Sequence, residues 1–153
     1  MRPVRNSAKA IIIHQGKLLA IELLDQQGPW FKLPGGGQNP GETLHQALIR
    51  ECREEVNAYV CVGELLLVRE YLSWNHEFEK ESPGFQSIEF MFGCEILNPL
   101  EVSAGHDPDE GQLKVVWLDL DRLEDLRLYP KAIRPMIKDQ KWETSSVYLG
   151  DVN

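Results

Sequence analysis

A proline followed by three glycines, Pro34-Gly35-Gly36-Gly37, leads into a segment that interleaves acidic and apolar residues at helical spacing, Thr43 to Asn57. Glycine loses more backbone freedom on folding than any other residue, so three in a row are hard to explain as mere connection. They do let main-chain groups approach a ligand closely. Whatever this chain folds into must therefore hold a bare stretch of backbone beside an acidic helix.

The helix is legible from its own pattern. Leu44, Leu48, Cys52 and Val56 recur at a spacing that puts them on one apolar stripe. Thr43 followed by Gln46 is a capping-box pattern that starts the helix, and Asn57 tolerates the left-handed conformation that ends one. Glu51, Glu54 and Glu55 cluster beside the apolar stripe rather than opposite it. As a solvated face paired with Arg50 and Arg53, these acids would contribute only about 0.2–0.5 kcal/mol per pair. As a cluster beside a glycine loop, they suit a hard divalent cation such as Mg²⁺, with Mn²⁺ as a substitute. Such a cation keeps water ligands and takes phosphate oxygens. It would acidify a bound water whose proton a nearby carboxylate accepts, and the chemistry in view is cleavage of a phosphoanhydride.

Around this centre the chain reads as strands. Ala8 to His14 and Lys17 to Leu24 are apolar runs separated by Gln15-Gly16, a pair suited to a hairpin turn. Trp30 to Leu33 forms a short strand that stops at Pro34, where the glycine loop begins. Tyr59 to Tyr71 reads as one long strand or two short ones broken near Gly63, and Phe85 to Leu97 as its hairpin partner across the polar excursion 73–84. Leu113 to Leu118 is a further strand, Asp121 opens a short helical turn, and Pro130 opens a closing helix that Pro135 kinks or restarts. After Trp142 the chain continues as a strand or an arm. Strands, one long helix, more strands and a closing helix give an α/β sandwich with a mixed sheet, in a single domain over residues 1–153.

Charge and cysteine usage exclude several function classes. A net charge of −8 opposes binding to a nucleic acid backbone or an anionic membrane, so phosphorylated small molecules would need cations as mediators. No apolar run spans a bilayer or makes a signal peptide. Cys52, Cys61 and Cys94 are odd in number and lack C-x-x-C spacing, which suggests neither a disulfide framework nor a zinc site. A reducing cytoplasm is the expected compartment.

Gly36, five residues, Glu42, seven residues, Arg50-Glu51, two residues and then Glu54-Glu55 resembles the Nudix box, and the flanking strands, the Trp117 strand and the closing helix fit a Nudix domain across nearly the whole chain. Two departures are visible. Asn57 and Ala58 stand where the box usually has glycine and a bulky aliphatic residue, and Cys52 takes an aliphatic position. The resemblance implies a Nudix-like α/β/α sandwich. It further implies Glu54 and Glu55 as the main metal ligands, Glu51 as a further ligand or the general base, the Gly36 carbonyl as another ligand, and Arg50 as the residue that orients the acids. Glu42 would steady the junction between loop and helix through an ion pair. Because the base in this family also occurs in a later loop, Glu110, near Asp107 and Asp109, is a second candidate beside Glu51.

Outside the box, period-two alternation puts Glu89 on one face of its strand with Met91, where it lines a substrate pocket or faces solvent. Trp74 and Phe78 could stack a base or lie exposed, and Arg69 is a phosphate contact or a surface charge. None of the four histidines has metal-ligand spacing. The expected activity is Mg²⁺-dependent hydrolysis of a nucleoside diphosphate linked to another group, by water attack on phosphorus, in a monomer or homodimer. There is no SQPW-type motif of NADH hydrolases and no downstream signature for ADP-ribose or dinucleoside polyphosphates. Two rivals differ in class: a catalytically silent nucleotide-binding or regulatory module, and an isomerase of diphosphate-bearing isoprenoids. The isomerase would need a Cys and Glu pair that Cys61 and Cys94 do not evidently supply.

Overall fold

A computed structural model describes residues 2–105, 111–143 and 146–153. In chain order the elements are β1 (Arg5–His14), β2 (Lys17–Asp25), β3 (Gly28–Lys32), β4 (Gly35–Gly37), α1 (Leu44–Val56), β5 (Val60–Leu72), β6 (Gln86–Ile96), β7 (Gln112–Asp119), β8 (Leu128–Tyr129), α2 (Arg134–Asp139) and β9 (Tyr148–Asp151). The strands form one mixed sheet in the order β8-β3-β2-β1-β6-β5-β9, with β4 added against β1 and β7 against β2. This is the Nudix-like α/β/α sandwich the sequence suggests.

The hairpin reading of β1 and β2 holds only at the turn. Gln15 and Gly16 take positive φ angles of 50° and 73°, but the strands pair only at Ile13–Leu18 and His14–Lys17. Beyond those pairs β2 leaves to join β3 and β7, and β4 takes its place along β1. The glycine run is thus a correction to the expected loop: Gly35, Gly36 and Gly37 lie in antiparallel register with Lys9, Ala8 and Ser7. A Cβ on Gly35 would sit 2.1 Å from the Ala8 carbonyl oxygen, and Gly35 has a φ of 131°, so no side chain fits where these backbones meet.

Period-two alternation along β1 divides the interior in two. Ala8, Ala10 and Ile12 face α1 and pack with its Leu48, Cys52 and Val56. Ile11 faces the other way, with Leu67, Met91 and the Ile133 and Ile137 side chains around α2. Full burial of an aliphatic side chain contributes about 1.5–3 kcal/mol, so the stripe on α1 fixes which face that helix turns inward.

Helix α1 has the ends its sequence specifies. The Thr43 side chain accepts from the Gln46 N–H at 3.1 Å, the Gln46 side chain accepts from the Thr43 N–H at 2.8 Å, and Asn57 adopts φ 53° as the left-handed terminator. The closing helix takes the restart of its two readings: Lys131–Ile133 forms a 3₁₀ turn after Pro130, and α2 begins at Arg134 with Pro135 in its first turn, where a missing N–H costs nothing. After Trp142 the chain returns as β9, parallel to β5. Among the described residues, no helix is long and apolar enough to cross a membrane.

Candidate active site

Arg50 is the centre of the box residues. Its Nε and Nη2 donate to the two carboxylate oxygens of Glu42, the second bond being 3.0 Å, and Nη2 also donates to the Gly37 carbonyl at 2.9 Å. Its Nη1 donates to Glu51 Oε1 at 3.0 Å and to Glu54 Oε2 at 3.1 Å. One guanidinium therefore ties the start of the helix, the glycine strand and two of the clustered acids together, a geometry that a point-like ammonium could not supply. Glu42 lies well below the usual carboxylate range, at about 2, chiefly because Arg50 donates to it and then because the Asn39 N–H does. That is the junction-steadying position expected of Glu42.

The three clustered acids differ in environment. Glu51 and Glu54 are partly exposed, whereas Glu55 is fully buried and accepts from the Gly35 N–H at 3.2 Å. The burial of Glu55 goes beyond the sequence reading, which placed it only at the edge of the stripe. Gly36 lies directly against Glu51: a Cβ there would fall 2.6 Å from Glu51 Cδ and 2.7 Å from either oxygen. The helix thus presents carboxylates to bare backbone, with no side chain between.

These donors fit a hard cation in kind, since all are carboxylate or carbonyl oxygens. Among the described residues, no three His, Cys, Asp or Glu side chains are grouped closely enough to enclose an ion. The arrangement suits a cation that keeps much of its water, not one held in an all-protein cage.

Beside the glycine strand lies a cavity of about 470 Å³. Its floor carries Arg69 and Glu89, joined by a 2.7 Å hydrogen bond between Arg69 Nε and Glu89 Oε2, together with Lys9 and Lys32. Burial pushes the Glu89 carboxyl up, but Arg69, Lys9 and Lys32 outweigh it and hold the group below its ordinary value. The walls are aromatic. Trp30 stacks on Phe78 with ring centroids 5.6 Å apart, and Tyr129 meets Phe78 edge-on at 5.0 Å.

Of the residues proposed from sequence, Arg50 joins Glu51 and Glu54, Gly36 lies against Glu51, Glu55 turns to the Gly35 N–H, and Arg69 and Glu89 meet on the cavity floor. Trp74 takes the exposed of its two readings: it is about half exposed and does not line the cavity, whereas Phe78 from the same excursion does. Phe78 reaches inward because the excursion is pinned back, through Asn75 and His76 to Asp151 and through Glu77 to Lys131. Glu110, with Asp107 and Asp109, lies outside the described residues.

Sequence reasoning missed Lys9, whose ammonium donates to the Gly35 carbonyl at 3.3 Å, and the tail, where the Val152 carbonyl and Asn153 Oδ1 accept from Arg69 Nη1 at 2.7 and 3.1 Å. The alternation of β1 carried a signal for Lys9, a lone charge in an apolar run. Nothing in the sequence paired the tail with Arg69.

Comparison with known proteins agrees with this geometry. The family model described as the NUDIX domain matches residues 4–140. Nucleoside triphosphatase NudI of Escherichia coli O1:K1 is 37% identical over 67 residues, which is 42% of this chain and 43% of that protein, so the match spans under half the length of the curated relative. A NUDIX hydrolase crystal structure from Nitrosomonas europaea superposes with a TM-score of 0.72 at 20% identity, covering all of this chain and 81% of that one. An ADP-ribose pyrophosphatase from Streptococcus suis 89-1591 superposes at 0.61 with 16% identity, over 97% of this chain and 100% of the other. At such identities the structural likeness speaks for the fold, while the family model covers most of the sequence and includes every acid that Arg50 gathers: the chain belongs to the Nudix family.

Proposed function

We propose that this chain is a divalent-cation-dependent pyrophosphohydrolase acting on a small nucleotide-type substrate, a nucleoside diphosphate linked to a further group. The observation that carries the reading is Arg50, whose Nη1 is shared by Glu51 and Glu54 and whose Nη2 reaches the Gly37 carbonyl, with Glu51 set against the bare α-carbon of Gly36. Glu51, Glu54, Glu55 and the Gly36 carbonyl would hold Mg²⁺ or Mn²⁺. A bound divalent cation would neutralise phosphate charge and acidify a water.

In the reaction, a water oxygen bonds to phosphorus, the anhydride P–O bond breaks, and its electron pair leaves on the departing phosphate oxygen. Glu51 takes the proton released by the water. The aromatic walls of Trp30, Phe78 and Tyr129 suit the flat face of a base, and Arg69 with Glu89 gives the floor a fixed donor and acceptor. Relatives whose names record nucleoside triphosphates or ADP-ribose as substrates support the phosphoanhydride class.

The test is to incubate nucleotide sugars, ADP-ribose, NADH, dinucleoside polyphosphates and nucleoside triphosphates with enzyme and Mg²⁺, and to separate the products. Metal-dependent release of a nucleoside monophosphate from one class is expected. No release across the panel would favour a silent nucleotide-binding module.

A further inference from the structure

The acids on α1 and the polar cavity floor form two groups of residues on either side of β1 and the glycine strand. Period-two alternation puts Lys9 on the opposite side of β1 from the residues that pack on α1, and Lys9 lines the cavity with Arg69 and Glu89. The two groups meet across a single residue. Lys9 Nζ donates to the Gly35 carbonyl at 3.3 Å, and the N–H of the same Gly35 donates to the buried Glu55 carboxylate at 3.2 Å. Gly35 admits no side chain, because a Cβ would fall 2.1 Å from the Ala8 carbonyl oxygen, so nothing can wedge between the cavity and the helix at this point.

A substrate that reaches from the aromatic walls to the acids of α1 must carry its phosphates past this junction. The chain has a net charge of −8, and the helix adds local negative charge, so a phosphate needs a cation where it crosses. Arg69 is committed on several sides, to Glu89, the Val152 carbonyl and Asn153. Lys9 carries three donors on a flexible stem, and an ammonium's donors can turn where the planar guanidinium of Arg69 cannot.

The geometry points to Lys9 as a substrate-binding residue that contacts the phosphate nearest the nucleoside, and as the tie between that phosphate and Glu55 through Gly35. This rests on the nucleotide reading of the site, and it names the part of the substrate that Lys9 takes.

The test is metal-free binding, by titration calorimetry, of nucleoside 5′-monophosphates and of the matching nucleosides to wild type, Lys9→Met and Lys9→Arg. Wild type should prefer the monophosphate by about 10- to 100-fold, the range for a hydrogen bond between charged groups. Lys9→Met should erase that preference while leaving nucleoside affinity within about twofold, and Lys9→Arg should restore most of it. A purely structural lysine would lower both affinities together, and that result overturns the proposal. So does an undiminished preference in Lys9→Met, or a wild type that binds neither ligand. Mg²⁺-dependent turnover by wild type is scored separately. Turnover combined with an unchanged preference in Lys9→Met removes the role of Lys9 alone, whereas absence of turnover removes the hydrolase reading and leaves the binding ratio to decide on Lys9.

Discussion

The carboxylate of Glu51 rests on the α-carbon of Gly36, so closely that a single methyl group at position 36 would lie 2.6 Å from Glu51 Cδ. The neighbour here is a side chain, so the strain can be relieved only by moving Glu51. Gly36→Ala should therefore change stability by less than about 1 kcal/mol, because the end of a flexible side chain gives way cheaply, and lower Mg²⁺-dependent turnover more than tenfold. Thermal melting and a Mg²⁺ titration of the rate check the two parts separately. A variant with full activity would show that Glu51 is free to shift without consequence.

Arg50→Lys keeps the charge and removes the fork that reaches Glu42, Glu51, Glu54 and Gly37. Since these groups are only partly withdrawn from water, the expected loss is about 1–2 kcal/mol, below the range for a fully buried pair. Residues that orient metal ligands typically change metal affinity by about 10- to 100-fold, so the Mg²⁺ concentration at half-maximal rate should rise accordingly. Urea unfolding and rate against Mg²⁺ are the two measurements. An unchanged Mg²⁺ requirement would confine Arg50 to a folding role.

The stability of the junction should depend on pH in a known direction. Glu42 has an ordinary value of 4.5 and is lowered to about 2 in the folded chain, chiefly by Arg50. A lowered carboxyl binds its proton more weakly when folded, so its stabilising contribution is complete above about 4.5 and disappears as the pH falls through about 2. Urea midpoints followed over this acid window should fall less steeply in Glu42→Gln than in wild type. Parallel curves would mean that Glu42 contributes nothing in this window.

The carbonyl of Asn57 accepts from Asn98 Nδ2 at 2.9 Å, and its own Nδ2 donates to the Glu101 carbonyl at 3.0 Å, so the residue both ends α1 and ties down the loop after β6. Asn57→Ala forces a β-carbon into the left-handed region without the amide that made Asn tolerable there, and should cost about 1–2 kcal/mol. Asn57→Gly keeps the backbone conformation and loses only the side-chain bond, so it should cost less. Equal losses in the two variants, measured by urea unfolding, would assign the whole effect to that bond.

What was legible in the sequence was what depends on local chemistry. The Thr43 and Gln46 cap, the Asn57 terminator and the stripe through Leu48, Cys52 and Val56 are properties of neighbouring residues, and α1 follows them closely. The glycine run was misread because β-propensity argues against strands of glycine. Here Gly35–Gly37 pair with β1 because any side chain would collide with the Ala8 backbone, with Glu51 or with Arg5. The cavity was only half legible. Glu89 and Arg69 showed as charges in apolar strands, but their pairing across β5 and β6 depends on register, which bulges near Leu65 shift. The tail's hold on Arg69 spans more than 80 residues of chain and leaves no local trace.

The most direct test of the site is the rate of hydrolysis of the best substrate as a function of Mg²⁺, in wild type and in Glu54→Gln, which removes one of the two carboxylates that share Arg50 Nη1. Wild-type activity should rise to a plateau with Mg²⁺ and vanish with a chelator. Glu54→Gln should require more metal and stay at least about 100-fold slower at saturation, as expected if about 2.7 kcal/mol of transition-state stabilisation is lost. Substrate turnover that survives chelation, or Glu54→Gln matching wild type at every Mg²⁺ concentration, would contradict the assignment of the acids on α1 as the metal site.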